Sequence, residues 1–366
     1  MPMTLIFSRV IVFGLFLSVH SWFTQQPCAG SDDASELSIE WRQFPSIPDR
    51  EGFASGFSGV SHGQLIFAGG ANFPDGRPWE GGRKVWYDTV FRLKPGGNEW
   101  TRIGRLPQSL AYGVSVTWKD VVICVGGSDA TSHSSKVFGI EVLHDEIRIK
   151  PFPDLPFPVA NACGAVSGDV VYIAGGQTSP DSTEALNSML TLNLMAPEEG
   201  WKLLSTCPWT GRILAIAGAR DGNFYLVSGA ELRTGANQQA GASQKVMRHY
   251  LRDAWQFDPT AGWTRMPDLP AAVVAAPSPA VFIKGGLLIP GGDDGGQISA
   301  TPQAHQGFSR QVIYWNEQKN SWQESVGISH PRVTAPCVEW NGWNLIISGE
   351  QRPGIRSPEV WGFRIR

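Results

Sequence analysis

Glu350 and Arg356 form the residue pair in this chain best suited to chemistry. Gln351, Arg352, Pro353, Gly354 and Ile355 lie between them. A Pro-Gly turn at that spacing folds the arginine back over the glutamate. A carboxylate so placed takes and returns a proton, and the guanidinium beside it grips a ligand carboxylate through parallel hydrogen bonds. The same spacing also fits a salt bridge that pins its own loop, and both readings stand at this point. Glu231 and Arg233 make a similar pair, read as solvated loop charges. Asp293 and Asp294 with His305 suggest a cation site, but their spacing matches no known metal centre, so no metal is expected. His62, His133, His144, His249 and His330 are scattered and form no cluster.

The elements that must position these residues are repeated. Six runs rich in β-branched or aromatic residues end in Gly-Gly or Ser-Gly: LIFAGG (65–70), VVICVGG (121–127), VVYIAGG (170–176), NFYLVSG (223–229), LLIPGG (287–292) and WNLIISG (343–349). Repeats of about 40–50 residues or slightly longer indicate a β-propeller with one four-stranded blade per repeat. A small apolar strand precedes each run across a tight turn: His62-Gly63, Lys119-Asp120, Gly168-Asp169, Asp221-Gly222, Lys284-Gly285 and Asn341-Gly342. A third strand follows, and a fourth often carries tryptophan, as at Trp100, Trp201, Trp263 and Trp322. The glycines are expected where blades crowd the axis, and the tryptophans in the wider gaps between blades. The last repeat runs out after its third strand, Val360 to Ile365. The missing strand stands at the other end, around Ile39 to Pro45. Residues 37–46 are therefore predicted to share a blade with residues 332–366, closing a six-bladed Kelch-type ring and covering its edges.

This strand order sorts the loops between two faces. The second-to-third and fourth-to-first connections share one face and include the long stretches 71–84, 230–249 and 293–309, so the site is expected at the axial mouth there. The residue after each glycine pair is equivalent from blade to blade: Ala71, Ser128, Gln177, Ala230, Asp293 and Glu350. These are expected to ring the mouth. The small or neutral members show that the scaffold itself requires no carboxylate at Glu350.

Composition agrees with a strand-rich chain: hydrophobic residues are 42%, with 42 glycines, 26 prolines and 15 tryptophans. The net charge of −3 has no basic block, which argues against a nucleic-acid partner. Arg9, the apolar run Val10 to Val19 and Cys28-Ala29-Gly30 read as a signal peptide over residues 1–30. The run is short for a membrane span, so the remainder, 31–366, is expected to be one exported domain, periplasmic or secreted, with no span after cleavage. Cys124, Cys163, Cys207 and Cys337 read as buried free thiols.

The stretches GFSG (56–59), LIFAGGA (65–71), AYGVS (111–115) and SGEQRPGIR (348–356) resemble the N-acetylneuraminate epimerases, or sialic-acid mutarotases. These are secreted or periplasmic Kelch-type propellers. Blade order looks rotated relative to some members, as in the cyclically permuted branch. The resemblance implies a small acidic sugar as partner, proton acceptance by Glu350, a carboxylate clamp at Arg356, and Tyr112, Asn72 and Lys84 as substrate neighbours, with no cofactor. It also implies an arginine before Ala111-Tyr112-Gly113, where this chain has Leu110; such a loss at the mouth weakens binding of an acidic sugar. Three other functions fit the scaffold: a non-catalytic module binding a protein or glycan, an isomerase of another sugar, and a copper oxidase of the galactose-oxidase type. The last needs converging tyrosine and histidine ligands with a cross-linkable cysteine, and no such set is found.

Overall fold

The structure, a computed structural model, describes residues 37–204, 207–235 and 246–366; the leader expected over residues 1–30 lies outside them. Six four-stranded antiparallel sheets make the blades. Blade 1 is Phe57–Ser61, Gln64–Ala68, Thr89–Leu93 and Thr101–Arg105. Blade 2 is Val114–Trp118, Val121–Val125, Val137–Leu143 and Glu146–Pro151. Blade 3 is Cys163–Ser167, Val170–Ala174, Met189–Asn193 and Lys202–Leu204. Blade 4 is Ile216–Arg220, Asn223–Val227, Ala254–Asp258 and Gly262–Met266. Blade 5 is Val281–Ile283, Gly286–Pro290, Gln311–Asn316 and Ser321–Val326. Blade 6 is Cys337–Trp340, Trp343–Ile347 and Val360–Ile365, completed by Ile39–Phe44.

That last strand closes the ring as the sequence predicts. It runs antiparallel to the C-terminal strand in register from Ile39 opposite Ile365 to Phe44 opposite Val360. Hairpin turns begin blades 1, 4 and 6 with two left-handed residues each, His62-Gly63, Asp221-Gly222 and Asn341-Gly342, which match the strand twist.

Each neighbouring pair of blades encloses its own apolar cluster. Phe67, Leu93 and Leu345 fill the gap between blades 6 and 1, for example, and Leu226, Phe224 and Ala174 that between blades 3 and 4. Three tryptophans also staple blades by hydrogen bonds. Trp100, Trp201 and Trp322 donate their indole N–H to the carbonyls of Pro45, Pro153 and Pro267 at 2.8, 2.8 and 2.9 Å. Each proline follows the outer strand of the adjacent blade.

The glycine pairs act at the blade junctions. Their second members have φ of 92° to 112°, a region costly for any side chain, and serine replaces only the first. Gly70, Gly127, Gly176 and Gly349 donate N–H to the carbonyls of Leu110, Val159, Arg212 and Phe53, each 2.8 Å away in the following blade. Cys124, Cys163, Cys207 and Cys337 are free and buried; burial pushes the Cys163 and Cys337 thiols up to about 12. Among the described residues no helix is long and apolar enough to cross a membrane.

Candidate functional site

A closed belt of backbone hydrogen bonds surrounds the axis. The N–H of Tyr112 bonds the carbonyl of Ser55, Asn161 that of Tyr112, Leu214 that of Asn161, Ala275 that of Leu214, Thr334 that of Ala275, and Ser55 that of Thr334, all at 2.7–3.0 Å. All six residues have left-handed backbones, with φ of 49° to 62°. None is glycine, so each carries a conformational cost of about 1–2 kcal/mol that the belt and the flanking strands must offset. Every member sits where the chain enters a blade.

Above the belt, on the long-loop face, lies a cavity of about 360 Å³. Its floor is Tyr112, Asn161, Leu214 and Thr334; its walls come from connections of other blades: Phe73, Trp79 and Lys84, then Arg248, Pro302, and Glu350 with Arg356. Below the belt, small residues such as Gly113, Gly164 and Ala276 narrow the axial space to about 90 Å³.

Glu350 and Arg356 face one another across a short hairpin, Glu350–Arg352 with Ile355–Arg356. The turn works as its sequence suggests. Gly354 is left-handed, at φ 80°, and its N–H donates to Glu350 Oε1 at 2.5 Å. A Cβ on Gly354 would press on Pro78 and Trp79 at 3.0 Å, so the tip is fitted against the loop over the mouth. Arg356 Nη1 is 3.3 Å from Glu350 Oε1, and its guanidinium stacks 4.6 Å from the Phe73 ring centroid. The arginine side chain is 4% exposed and the glutamate 15%. Arg356 Nε and Nη1 are buried and make no hydrogen bond among the described residues, and Thr334 Oγ1 is likewise orphaned. Buried N–H groups without acceptors are costly. A guanidinium with a single misaligned carboxylate neighbour therefore gains from a second anion.

Lys84 and Tyr112 meet in the same cavity. Lys84 Nζ donates to Tyr112 Oη at 3.2 Å and lies 5.1–5.7 Å from the rings of Phe73, Trp86 and Tyr112. No carboxylate lies within salt-bridge distance of Lys84 among the described residues.

Three sequence expectations change. Asn72 does not reach the cavity: it is fully buried, its amide donating to Asp49 at 3.1 Å and the Gly52 carbonyl at 2.9 Å while its oxygen accepts from Tyr87. Its neighbour Phe73 takes the cavity wall instead. Leu110 is not at the mouth either. It lies in the core between blades 1 and 2, and its equivalents in blades 4 and 6 are Arg212 and Arg332, buried arginines bound to Asp253 and Glu359. An arginine there braces a blade rather than a ligand. Finally, the positions after the glycine pairs are equivalent, each bridging the residue before a belt member, but Ala71 and Ala230 are fully buried. Four belt residues one position from those partners, Tyr112, Asn161, Leu214 and Thr334, line the cavity instead. Asn161, Thr334 and Arg248 were not singled out in the sequence. A signal existed for the first two: they are the variable middle residue of a recurring apolar-x-Gly/Ala triplet, as in Ala111-Tyr112-Gly113 and Val333-Thr334-Ala335.

The other charged groups stay local. Glu231 binds Arg233 at 2.7 Å; Asp293 accepts from Tyr250; His305 Nδ1 accepts from the Gly307 N–H. Among the described residues, no group of three or more His, Cys, Asp or Glu side chains is arranged to hold a metal ion.

Fold and site together define a six-bladed Kelch-type propeller whose axial cavity presents a carboxylate and an under-compensated guanidinium. The family model described as N-acetylneuraminate epimerase matches residues 29–149, which take in the closing strand, blade 1 and most of blade 2. The N-acetylneuraminate epimerase of Salmonella enteritidis PT4 (strain P125109) is 41% identical over 100 residues, 24% of this chain and 26% of that protein. That of Yersinia enterocolitica serotype O:8 / biotype 1B (strain NCTC 13174 / 8081) is 37% identical over 125 residues, 29% of this chain and 30% of the relative. The matches thus span a quarter to a third of these relatives' length. A solved structure titled "Structure of YjhT" superposes with a TM-score of 0.62 at 15% identity, covering 88% of this chain and 99% of that one; it shows the fold. The family resemblance read in the sequence is therefore found again in blades 1 and 2. Lys84 and Tyr112 fall inside the family-model match; Glu350 and Arg356 fall outside it.

Proposed function

We propose that the chain is a mutarotase of N-acetylneuraminate, interconverting its α and β anomers by acid–base ring opening. The observation that carries this reading is the buried Arg356 guanidinium with orphaned N–H groups beside Glu350 in one axial cavity. An anionic sugar supplies the acceptor that the arginine lacks, and a carboxylate bonded beside the anomeric carbon brings that carbon to Glu350. Glu350 takes the proton of the anomeric hydroxyl, the C–O ring bond breaks, and a proton reaches the ring oxygen. Rotation about one bond and reclosure yields the other anomer, and the protons return. A positioned acid or base contributes about 10²–10⁴-fold, and holding the carboxylate fixes the orientation in which the ring reopens. Export, as residues 1–30 suggest, belongs to the same proposal.

The Arg356 part is tested by binding. Hydrogen bonds to charged groups contribute about 1.5–3 kcal/mol, or roughly 10- to 150-fold in affinity. Arg356→Met is expected to weaken N-acetylneuraminate binding in a calorimetric titration by about that factor, while Arg356→Lys retains part of it. Unchanged affinity in Arg356→Met contradicts the clamp and favours an isomerase of a neutral sugar.

A further inference from the structure

The geometry points to Tyr112 as the acid that protonates the ring oxygen, with Lys84 as its positioning residue; this rests on the mutarotase reading above. Ring opening needs two proton transfers on different oxygens. Glu350, already accepting one, cannot donate to the second in the same step. The bonding at Tyr112 is decided by valence. A lysine ammonium has three donors and no acceptor. Its hydrogen bond with Tyr112 therefore uses the phenol oxygen as acceptor, and the phenolic proton must point elsewhere. No acceptor among the described residues takes that proton, and the side chain lines the cavity that Glu350 and Arg356 line.

The phenol is also held in place. Tyr112 is fixed at φ 62° by belt bonds on both sides, its N–H to Ser55 and its carbonyl from Asn161. Ser55 alone separates it in the belt from Thr334, which follows Val333, the bridging partner of Glu350. Lys84 is confined by three aromatic rings rather than by a carboxylate, so its charge stays directed at the phenol oxygen.

Glu350 takes the proton of the anomeric O–H, whose electron pair becomes the carbonyl π bond. The ring C–O bond breaks toward oxygen, which takes the Tyr112 proton. The phenolate left behind is stabilised by the Lys84 ammonium at hydrogen-bond distance. Reclosure reverses each transfer on either face of the carbonyl.

The test is anomer exchange on freshly released α-N-acetylneuraminate, followed by NMR over a range of substrate concentrations and corrected for the uncatalysed rate. Wild type and Glu350→Gln are measured first. Tyr112→Phe is expected to lower kcat by roughly 10²-fold or more with KM changed only a few-fold. Lys84→Met is expected to lower kcat with KM little changed, and Lys84→Arg to restore it. Tyr112→Phe that raises KM with kcat intact makes the tyrosine a binding group and overturns the assignment, while Glu350 keeps its role. An unchanged kcat in Lys84→Met, or a kcat that Lys84→Arg fails to restore, removes the positioning role. A wild-type protein that only tracks the uncatalysed rate defeats the mutarotase reading and this inference together.

Discussion

At the scale of single residues, hydrogen-bond satisfaction rather than burial separates Asn72 from Arg356: both are buried, but only Arg356 keeps N–H groups without acceptors among the described residues. Asn72 and Lys84 end the same loop, and both belong to the resemblance, yet only Lys84 reaches the cavity. Asn72 has all its hydrogen-bonding capacity directed inward, to Asp49, Gly52 and Tyr87. Its removal leaves a buried carbonyl and a half-buried hydroxyl without partners, at about 1–3 kcal/mol each. Asn72→Ala is therefore expected to lower the thermal midpoint while the folded fraction keeps its kcat; a specific loss of kcat at full stability would place Asn72 in the site after all. Leu110 teaches the same point: the sequence reading puts it at the mouth, but it is fully buried in the core between blades 1 and 2, and its equivalents Arg212 and Arg332 are buried too.

At the scale of the blade, those two arginines are internal experiments. Arg212, fully buried, forks onto Asp253 at 2.9 and 2.7 Å and donates to the Ser228 and Thr210 carbonyls. In blade 3 the equivalent positions are Val159 and Ser188. Breaking a buried pair from one side costs about 3–5 kcal/mol, whereas replacing both partners is far less harmful. Arg212→Val alone is expected to cost that much in denaturant unfolding, and Arg212→Val with Asp253→Ser, which copies blade 3, clearly less. The pH dependence follows from the carboxyl. Burial pushes Asp253 up, but the Arg212 hydrogen bonds and charge outweigh it and hold it below its ordinary value. A depressed carboxyl gives stability that is complete above the ordinary carboxylate range, about pH 4, and is lost as pH falls through the lower native value. The wild-type midpoint should fall more steeply on acidification than that of the double variant; parallel curves contradict the pairing.

At the scale of the whole molecule, the ring was legible because hairpin turns, glycine pairs and period-two strands are local signals repeated six times, and because the strand missing from one end stood at the other. The Glu350–Arg356 contact was legible because six residues and a Pro-Gly turn bring it together. The rest of the cavity was not. Phe73, Trp79, Arg248 and Pro302 come from three different blades, and only closure of the ring brings them over one axis; no local pattern encodes that convergence. Every part of the site thus depends on the complete circle, and the proposed mutarotation requires this assembled cavity to exchange anomers through Glu350. Proton NMR of freshly released α-N-acetylneuraminate with purified wild-type and Glu350→Gln protein measures that directly. Conversion to the β anomer well above the uncatalysed rate in wild type, and reduced by roughly 10²-fold or more in Glu350→Gln, is the expected result; equal rates for the two proteins contradict it.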